Sequence, residues 1–137
     1  MNTIQLGAGL PSATPRRIGL ALSVLAVLLL LADAGSQLLA VAPVLNAAIT
    51  IGWPSTPALW QGIGAVLAVA TLLYAIPRTA FLGGLLITGY LGGAIAAHVR
   101  VGEDAVGPTI AAIVIAAVAW GGLWLRDERF RALTRAR

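Results

Sequence analysis

Four long apolar stretches, separated by short segments richer in polar residues, proline and glycine, set the pattern of this sequence. They cover residues 18–41, 58–76, 80–97 and 109–125. Each is long enough to cross a hydrocarbon core of about 30 Å as an α-helix. Backbone groups in lipid must pair within the chain, so these stretches are predicted to be helices rather than strands. The sequence therefore predicts an all-α, polytopic membrane protein with a four-transmembrane-helix bundle.

The segments outside the spans divide the chain further. Residues 1–15 are expected to form a disordered N-terminal segment, 16–126 the transmembrane domain, and 127–137 a basic tail. The tail is expected to form an interfacial helix with Phe130 and Leu133 toward lipid. Prolines interrupt the connection between the first two spans, which is predicted to hold a short interfacial helix over 44–51.

Composition supports a lipid environment and argues against nucleic acid. Charged residues make up only 10% of the chain, whereas a soluble domain carries roughly 25%. The bilayer is therefore the expected partner of most of the surface. The net charge of +4 is the balance of nine arginines against five acidic residues. The arginines lie at the edges of apolar stretches or in the tail, with no basic stripe on a polar scaffold. There is no cysteine, so disulfides and thiolate ligands are excluded. A lone histidine is weak evidence for a metal, and no metal site is predicted.

The arginines also predict the orientation. Four spans place the N-terminus, the second-to-third hairpin and the tail on one side, with Arg100 alone on the other. The side that holds the N-terminus and the tail carries eight arginines: Arg16, Arg17, Arg78, Arg126, Arg129, Arg131, Arg135 and Arg137. By the positive-inside rule both termini are cytoplasmic, in a multi-pass protein of a bacterial cytoplasmic (inner) membrane. The alternative is a signal peptide cleaved before Gly35, although the apolar stretch continues beyond that point.

Asp33 is the clearest polar signal inside a span. An ionisable side chain at this position costs a few kcal/mol and usually faces the protein interior. Gln37 follows four residues later on the same helix face and is predicted to hydrogen-bond to Asp33. A purely structural carboxylate, pairing with a neighbouring helix, is the alternative.

His98, the single histidine, ends the third span, which runs in the same direction as the first. His98 and Asp33 should therefore lie at similar depth, and they are the candidate catalytic residues. A general base, a proton relay, a metal or haem ligand and a helix-end residue all remain open for His98. Tyr90 shares a broad helix face with His98, and it is expected either to line a cavity or to pack in the core with its hydroxyl hydrogen-bonded. The candidate ligand-binding set is Asp33, Gln37, Gln61, Tyr90, His98 and Arg100.

Gly89 and Gly93 form a GxxxG pattern in the third span. Small residues at this spacing let membrane helices approach closely. The pattern predicts either packing within the bundle or a homo-oligomer.

The segment TGYLGGAIAAHVRVG at 88–102, with YAIPRTAFLG at 74–83 and WGGLWLRDERFRAL at 120–133, resembles the DoxX-like family of small four-helix membrane proteins. The resemblance extends from about residue 17 to residue 133. It departs from the family at one position, because Gln37 stands where an intramembrane lysine often follows the aspartate. The resemblance implies a link to membrane redox complexes, a redox partner protein, and a quinone or other small lipophile near Asp33, Tyr90 and His98.

Three functions follow as hypotheses. The first is an accessory subunit that binds a small lipophilic molecule such as a quinone. The second is a membrane-embedded enzyme that uses Asp33 and His98 as an acid–base pair on a lipophilic substrate. The third, with least support, is a small proton-coupled transporter with Asp33 as the coupling carboxylate.

Overall fold

The computed structural model describes residues 13–102 and 106–135, and these residues form six helices. Residues 1–12 of the predicted N-terminal segment lie outside the described residues, and the first helix already begins at Ala13. The helices are α1 (Ala13–Leu38), α2 (Ala42–Thr50), α3 (Pro57–Ala75), α4 (Ala80–Val101), α5 (Val106–Arg126) and α6 (Glu128–Arg135).

Four of the described helices, α1, α3, α4 and α5, are long and apolar enough to cross a membrane. The prediction of an all-helical polytopic protein is therefore confirmed. Their outward faces carry exposed aliphatic side chains such as Leu28, Val66 and Ile113, which suit contact with lipid chains. Proline at the start of α3 favours the first helical turn there, since its missing N–H has no partner at that position.

The predicted first span was too long at its C-terminal end. The apolar stretch runs to residue 41, but α1 ends at Leu38 and Ala40 adopts a left-handed conformation with φ of +46°. Hydrophobicity alone does not register this turn, which redirects the chain into α2. That short helix ends before Gly52, whose φ of +69° is easily reached only without a side chain.

The four long helices form a closed ring in which each packs on two neighbours. The order around the ring is α1, α3, α4 and α5, with α5 returning to α1. α1 and α4 are therefore diagonal to each other, as are α3 and α5. We call the end that carries Arg78 and Arg126 the basic end, and the end that carries α2 the cavity end.

Glycines bring the helix backbones into contact toward the basic end. A Cβ added to Gly83 would collide with the backbone of Tyr74, and one added to Gly19 would lie 2.6 Å from the Arg126 nitrogen. The same closeness applies at Gly122, where a Cβ would lie 2.7 Å from the Ser23 hydroxyl oxygen. Small residues at these positions replace the water-driven association that is missing in lipid.

Tyr74 is the centre of the basic end and is 0% exposed. Its hydroxyl donates to the Ala119 carbonyl at 2.6 Å, so the Ser23 hydroxyl, 3.1 Å away, must donate to the Tyr74 oxygen. Arg126 donates to the Tyr74 carbonyl at 2.6 Å and its guanidinium stacks 4.8 Å from the ring centre. Side chains therefore fill the basic end, and hydrogen bonds join α1, α3 and α5 there.

The tail forms α6, but its aromatic residue does not point away from the bundle. Phe130 is half-buried and packs on Phe81 and Trp120, with ring centres 5.7 and 5.8 Å away. The expectation that it faces lipid overlooked these two aromatic partners. Asp127 starts the helix by accepting the Arg129 backbone N–H at 2.9 Å. The side chain of Leu133 lies outside the described part of the chain.

Candidate functional site

A cavity of about 670 Å³ lies at the cavity end of the ring. Its wall is built by the end of α1, the start of α3, the second half of α4 and the first half of α5. α2 adds Val44 and Ala47, and Ile51 follows directly after it, so this short helix covers part of the cavity. Most lining side chains are aliphatic or aromatic, and the polar ones are few.

The polar side of the cavity is a hydrogen-bonded chain of three residues. The Tyr90 hydroxyl of α4 donates to Asp33 Oδ2 of α1 at 3.1 Å. Gln37 Nε2 donates to the Tyr90 oxygen at 2.5 Å. Asp33 and Gln37 were expected to bond directly, but Tyr90 lies between them. A phenol suits this position because its oxygen donates once and accepts as well.

This chain leaves one buried atom without a partner. Gln37 is 3% exposed and its Oε1 makes no hydrogen bond. Its burial follows from Gly64, where an added Cβ would lie 2.8 Å from Gln37 Cβ. A buried carbonyl oxygen with no donor costs about 1–3 kcal/mol.

The predicted site residues divide into two groups. Asp33, Gln37, Tyr90 and His98 all line the cavity, and the His98 side chain is half-buried. Gln61 is exposed and is not among the lining residues. Although Gln61 and His98 were expected at similar depth, depth alone does not fix the direction in which a helix turns its side chains.

Arg100 has a different position from the one expected of a ligand contact. It is not among the lining residues, and its Nη2 donates to the Ile51 carbonyl at 2.7 Å. The bond joins the end of α4 to the residue that follows α2. A cation also suits the carbonyl-rich C-terminal end of a helix. Arg100 therefore holds α2 at the side of the cavity.

Two tryptophans belong to the cavity wall and were missed as site residues. Trp53 and Trp60 line the cavity, with ring centres 6.2 Å apart, and Trp60 Nε1 donates to the Pro54 carbonyl at 2.9 Å. Aromatic residues near span ends are usually interfacial anchors, and nothing in the pattern around Trp60 distinguished it from such an anchor.

Gly89 and Gly93 also line the cavity. No atom of another helix lies within 4 Å of a Cβ added to either residue. Their GxxxG spacing thus does not bring α4 against a neighbour in this chain, and the absence of side chains enlarges the cavity instead. Contact with a second copy through this pattern stays a prediction.

The described residues include no group of three histidine, aspartate or glutamate side chains placed to hold a metal ion. The polar atoms that a ligand would meet are instead single groups: the Asp33 carboxylate, the Gln37 amide, the Tyr90 hydroxyl and the His98 imidazole. They can orient a polar head by hydrogen bonding.

The fold and cavity define a multi-pass α-helical membrane protein with a lipophilic cavity toward one end of its helix ring. The family model described as the DoxX-like family matches residues 21–122, well over half of the sequence. The chain belongs to the DoxX-like family, which confirms the resemblance inferred from the sequence. Comparison with curated proteins and with solved structures gives no significant match.

Proposed function

We propose that this DoxX-like protein binds a small lipophilic molecule with a polar head in the cavity. The observation that carries the proposal is the cavity itself, about 670 Å³ with apolar walls and one polar side formed by Asp33, Gln37, Tyr90 and His98. Sites for small organic ligands generally enclose about 300–1,000 Å³ and combine apolar walls with a few polar groups.

A quinone is the ligand class we propose first, with the protein as an accessory subunit beside a redox partner protein. This part rests on the resemblance to a family linked to membrane redox complexes, and it is an argument by analogy. The chemistry of the cavity is compatible with it. The imidazole of His98 offers an N–H to a ring carbonyl, and the aliphatic wall around Leu59 and Ile63 suits an isoprenoid tail.

An acid–base enzyme is the second candidate, because Asp33 and His98 line the same cavity. It requires both side chains to reach one reacting atom of a bound substrate. A proton-coupled transporter receives less support. The basic end is filled by Tyr74, Leu123 and Ile87, each no more than 1% exposed, and transport would require this packing to open.

We further propose a bacterial inner-membrane location with both chain ends on the cytoplasmic side. The helix ends support this orientation, since Arg17, Arg78 and Arg126 belong to the basic end and Arg100 to the cavity end. This asymmetry follows the positive-inside rule if the basic end is cytoplasmic.

The experiment that tests the proposal compares two alanines of α4. Ala94 lines the cavity, whereas Ala96 is exposed and is not a lining residue. Binding of decylubiquinone is measured by equilibrium partition on purified protein in lipid nanodiscs, against empty nanodiscs. Ala94→Leu should weaken binding roughly tenfold, equal to about 1.4 kcal/mol, and Ala96→Leu should leave it unchanged.

Equal affinities in the two variants would place the quinone outside the cavity and reject the proposed site. If decylubiquinone does not bind, but lipid extracts of the purified protein contain another retained amphiphile that Ala94→Leu releases, the ligand class changes and the site stands. If nothing binds in a way that Ala94→Leu reduces, the binding function is wrong.

A further inference from the structure

The cavity reaches the lipid-facing surface of the helix ring along one side of α4. Gly89 and Gly93 line the cavity and are also exposed. Gly89 lies two residues before the buried Leu91, a rotation of about 200°, so it faces away from the interior of the ring. A Cβ added to either glycine would meet no atom of another helix within 4 Å in the described parts of the chain. The cavity wall is therefore open at these glycines.

The helical period shows which neighbouring helix lies across this opening. Gly93 follows Gly84 by nine residues, which places it on the opposite side of α4, since each residue turns the helix by about 100°. Gly84 faces α5, because a Cβ added to it would lie 3.5 Å from the Trp120 ring. The other neighbour of α4 in the ring is α3. The opening therefore lies between α3 and α4.

α3 and α4 touch at the basic end and diverge toward the cavity end. A Cβ added to Gly83 would collide with the Tyr74 backbone, so the two helix backbones are in contact there. Ten residues further along α4, an added Cβ at Gly93 reaches no described atom of α3. α3 contributes Leu59 and Ile63 to the cavity wall at this end. The opening is thus bordered by aliphatic side chains on α3 and by bare backbone on α4.

The packing of α3 on α1 accounts for this divergence. Gly64 lies at the cavity end of α3, and a Cβ added to it would lie 2.8 Å from Gln37 Cβ and 2.9 Å from the Ala34 carbonyl oxygen. A glycine at this position lets α3 lean closely against α1. Because α1 and α4 are diagonal in the ring, a helix that leans toward α1 moves away from α4.

We propose that the cavity binds the polar head of a long-tailed amphiphile whose hydrocarbon tail leaves the helix ring sideways between α3 and α4, over Gly89 and Gly93. This inference rests on the proposed binding function and names the ligand class of the same cavity. The tail of such a ligand lies mostly in the surrounding lipid, so its length is not limited by the volume of the cavity.

The position of the opening suits a ligand whose head and tail differ in polarity. Tyr90 follows Gly89 directly and belongs to the polar side of the cavity. A head bonded to Tyr90 therefore lies beside the opening, and its tail need not cross the cavity to reach lipid. Leu86, two turns before Gly93 on the same side of α4, is 44% exposed and offers the tail an aliphatic surface outside.

Tail length should have little effect on the affinity, because the added methylene groups are surrounded by hydrocarbon before and after binding. Burial of a CH₂ group contributes about 0.8 kcal/mol when the group leaves water, but this gain is absent within lipid. A closed cavity of about 670 Å³ would instead exclude tails too long to fold inside it. Tolerance of long tails therefore distinguishes an open wall from a closed one.

The test compares two ubiquinones, one with a single isoprenoid unit and one with ten, by equilibrium partition on the full chain in nanodiscs. Affinities are expressed per mole of lipid, and the wild-type chain should bind the two within about threefold of each other. Gly93→Leu places a side chain in the opening and should lower the ratio of long-tail to short-tail affinity roughly tenfold. Gly92→Leu is the matched control, because Gly92 is exposed and is not a lining residue. Thermal unfolding checks that each variant is folded.

A photoreactive tail gives a second measurement that does not depend on a variant. A decylubiquinone analogue with a diazirine at the end of its tail should label peptides of α3 and α4, and an excess of decylubiquinone should remove this labelling. Competed labelling confined to α1 or α5 would mean that the tail leaves elsewhere, and the proposed exit would be wrong.

The outcomes separate this inference from the proposed function. If neither ubiquinone binds the wild-type chain, or if Ala94→Leu does not weaken their binding, the proposed function fails and the exit with it. If only the short-tailed ubiquinone binds, or if Gly93→Leu leaves the ratio unchanged, the function stands and the lateral exit is wrong. A Gly93→Leu chain that turns from dimer to monomer in light scattering, at an unchanged ratio, would assign these glycines to contact with a second copy instead.

Discussion

Tyr74 and Tyr90 each donate a hydrogen bond across a diagonal of the helix ring, at opposite ends of it. The Tyr74 hydroxyl joins α3 to the Ala119 carbonyl of α5, and the Tyr90 hydroxyl joins α4 to Asp33 of α1. Tyr74 is 0% exposed, whereas Tyr90 lines the cavity. One tyrosine therefore closes the packed end, and the other presents polar atoms at the open end.

Removing each hydroxyl should consequently have different effects. Tyr74→Phe leaves Ser23 without its partner in a dry interior and should lower the free energy of unfolding by roughly 1–2 kcal/mol. Tyr90→Phe, at the cavity wall, should cost under about 1 kcal/mol but should weaken decylubiquinone binding. Unfolding in mixed micelles measures the first effect, and decylubiquinone partition in nanodiscs measures the second. A larger stability loss for Tyr90→Phe would contradict this assignment.

Alanine substitutions of the α4 glycines should likewise have different effects on stability in the two halves of the helix. Gly83→Ala places a methyl group into the Tyr74 backbone and should destabilise the chain by about 1–3 kcal/mol, because the helices must move apart. Gly92→Ala is the matched control, since nothing lies within 4 Å of its added Cβ. It should be neutral or stabilise the helix by up to about 1 kcal/mol. Equal losses would mean that α4 packs in another register.

Arg100 should affect the motion of α2 rather than the fold of the ring. Arg100→Met removes the bond to the Ile51 carbonyl while keeping a long side chain, and hydrogen exchange of α2 amides should become several-fold faster. Ligand dissociation from the cavity should accelerate with it. Arg78→Met is the matched control, because Arg78 is exposed in the turn at the basic end. Unchanged exchange in Arg100→Met would show that the bond does not hold α2.

Tryptophan fluorescence should report occupation of the cavity. Trp53 and Trp60 line it, whereas Trp120 and Trp124 belong to the second half of α5, toward the basic end. Decylubiquinone should change the emission of the wild-type chain when it binds in the cavity. Trp60→Phe should reduce that change by about half, and Trp124→Phe should preserve it. A signal lost only in Trp124→Phe would locate the probe elsewhere.

The orientation is testable directly, because the natural chain has no cysteine. Ser55→Cys lies in the exposed segment between α2 and α3, and Arg78→Cys lies in the turn at the basic end. In intact bacterial cells with a permeabilised outer membrane, an impermeant maleimide should label the first variant and not the second. Labelling of the Arg78→Cys variant alone would show that the topology is the reverse of the one proposed.

The spans were predictable from the sequence, because four apolar stretches of sufficient length have few other folds in lipid. The rotation of the helices was not. In water an apolar stripe marks the buried face, but here both the lipid-facing and the buried faces are apolar. Gln37 and Gln61 illustrate the difficulty, since both are glutamines near span ends, yet one is 3% exposed and the other is exposed.

The candidate site residues could be picked out from the sequence, but the contacts between them could not. Asp33 and His98 stand out because ionisable groups are rare in spans, and both line the cavity. The insertion of Tyr90 between Asp33 and Gln37 depends on the diagonal placement of α1 and α4, which no local spacing encodes. The spacing of Gly89 and Gly93 likewise describes a smooth surface and not what lies against it, so it did not show that both glycines line the cavity.

The closed basic end has a consequence for exchange with the surrounding lipid. With Tyr74 and its neighbours filling that end, a molecule in the cavity is positioned to enter and leave through one leaflet of the bilayer. Occupancy of the cavity would then follow the ligand concentration in that leaflet alone. A change of concentration in the other leaflet would alter occupancy only after the ligand had crossed the bilayer by itself.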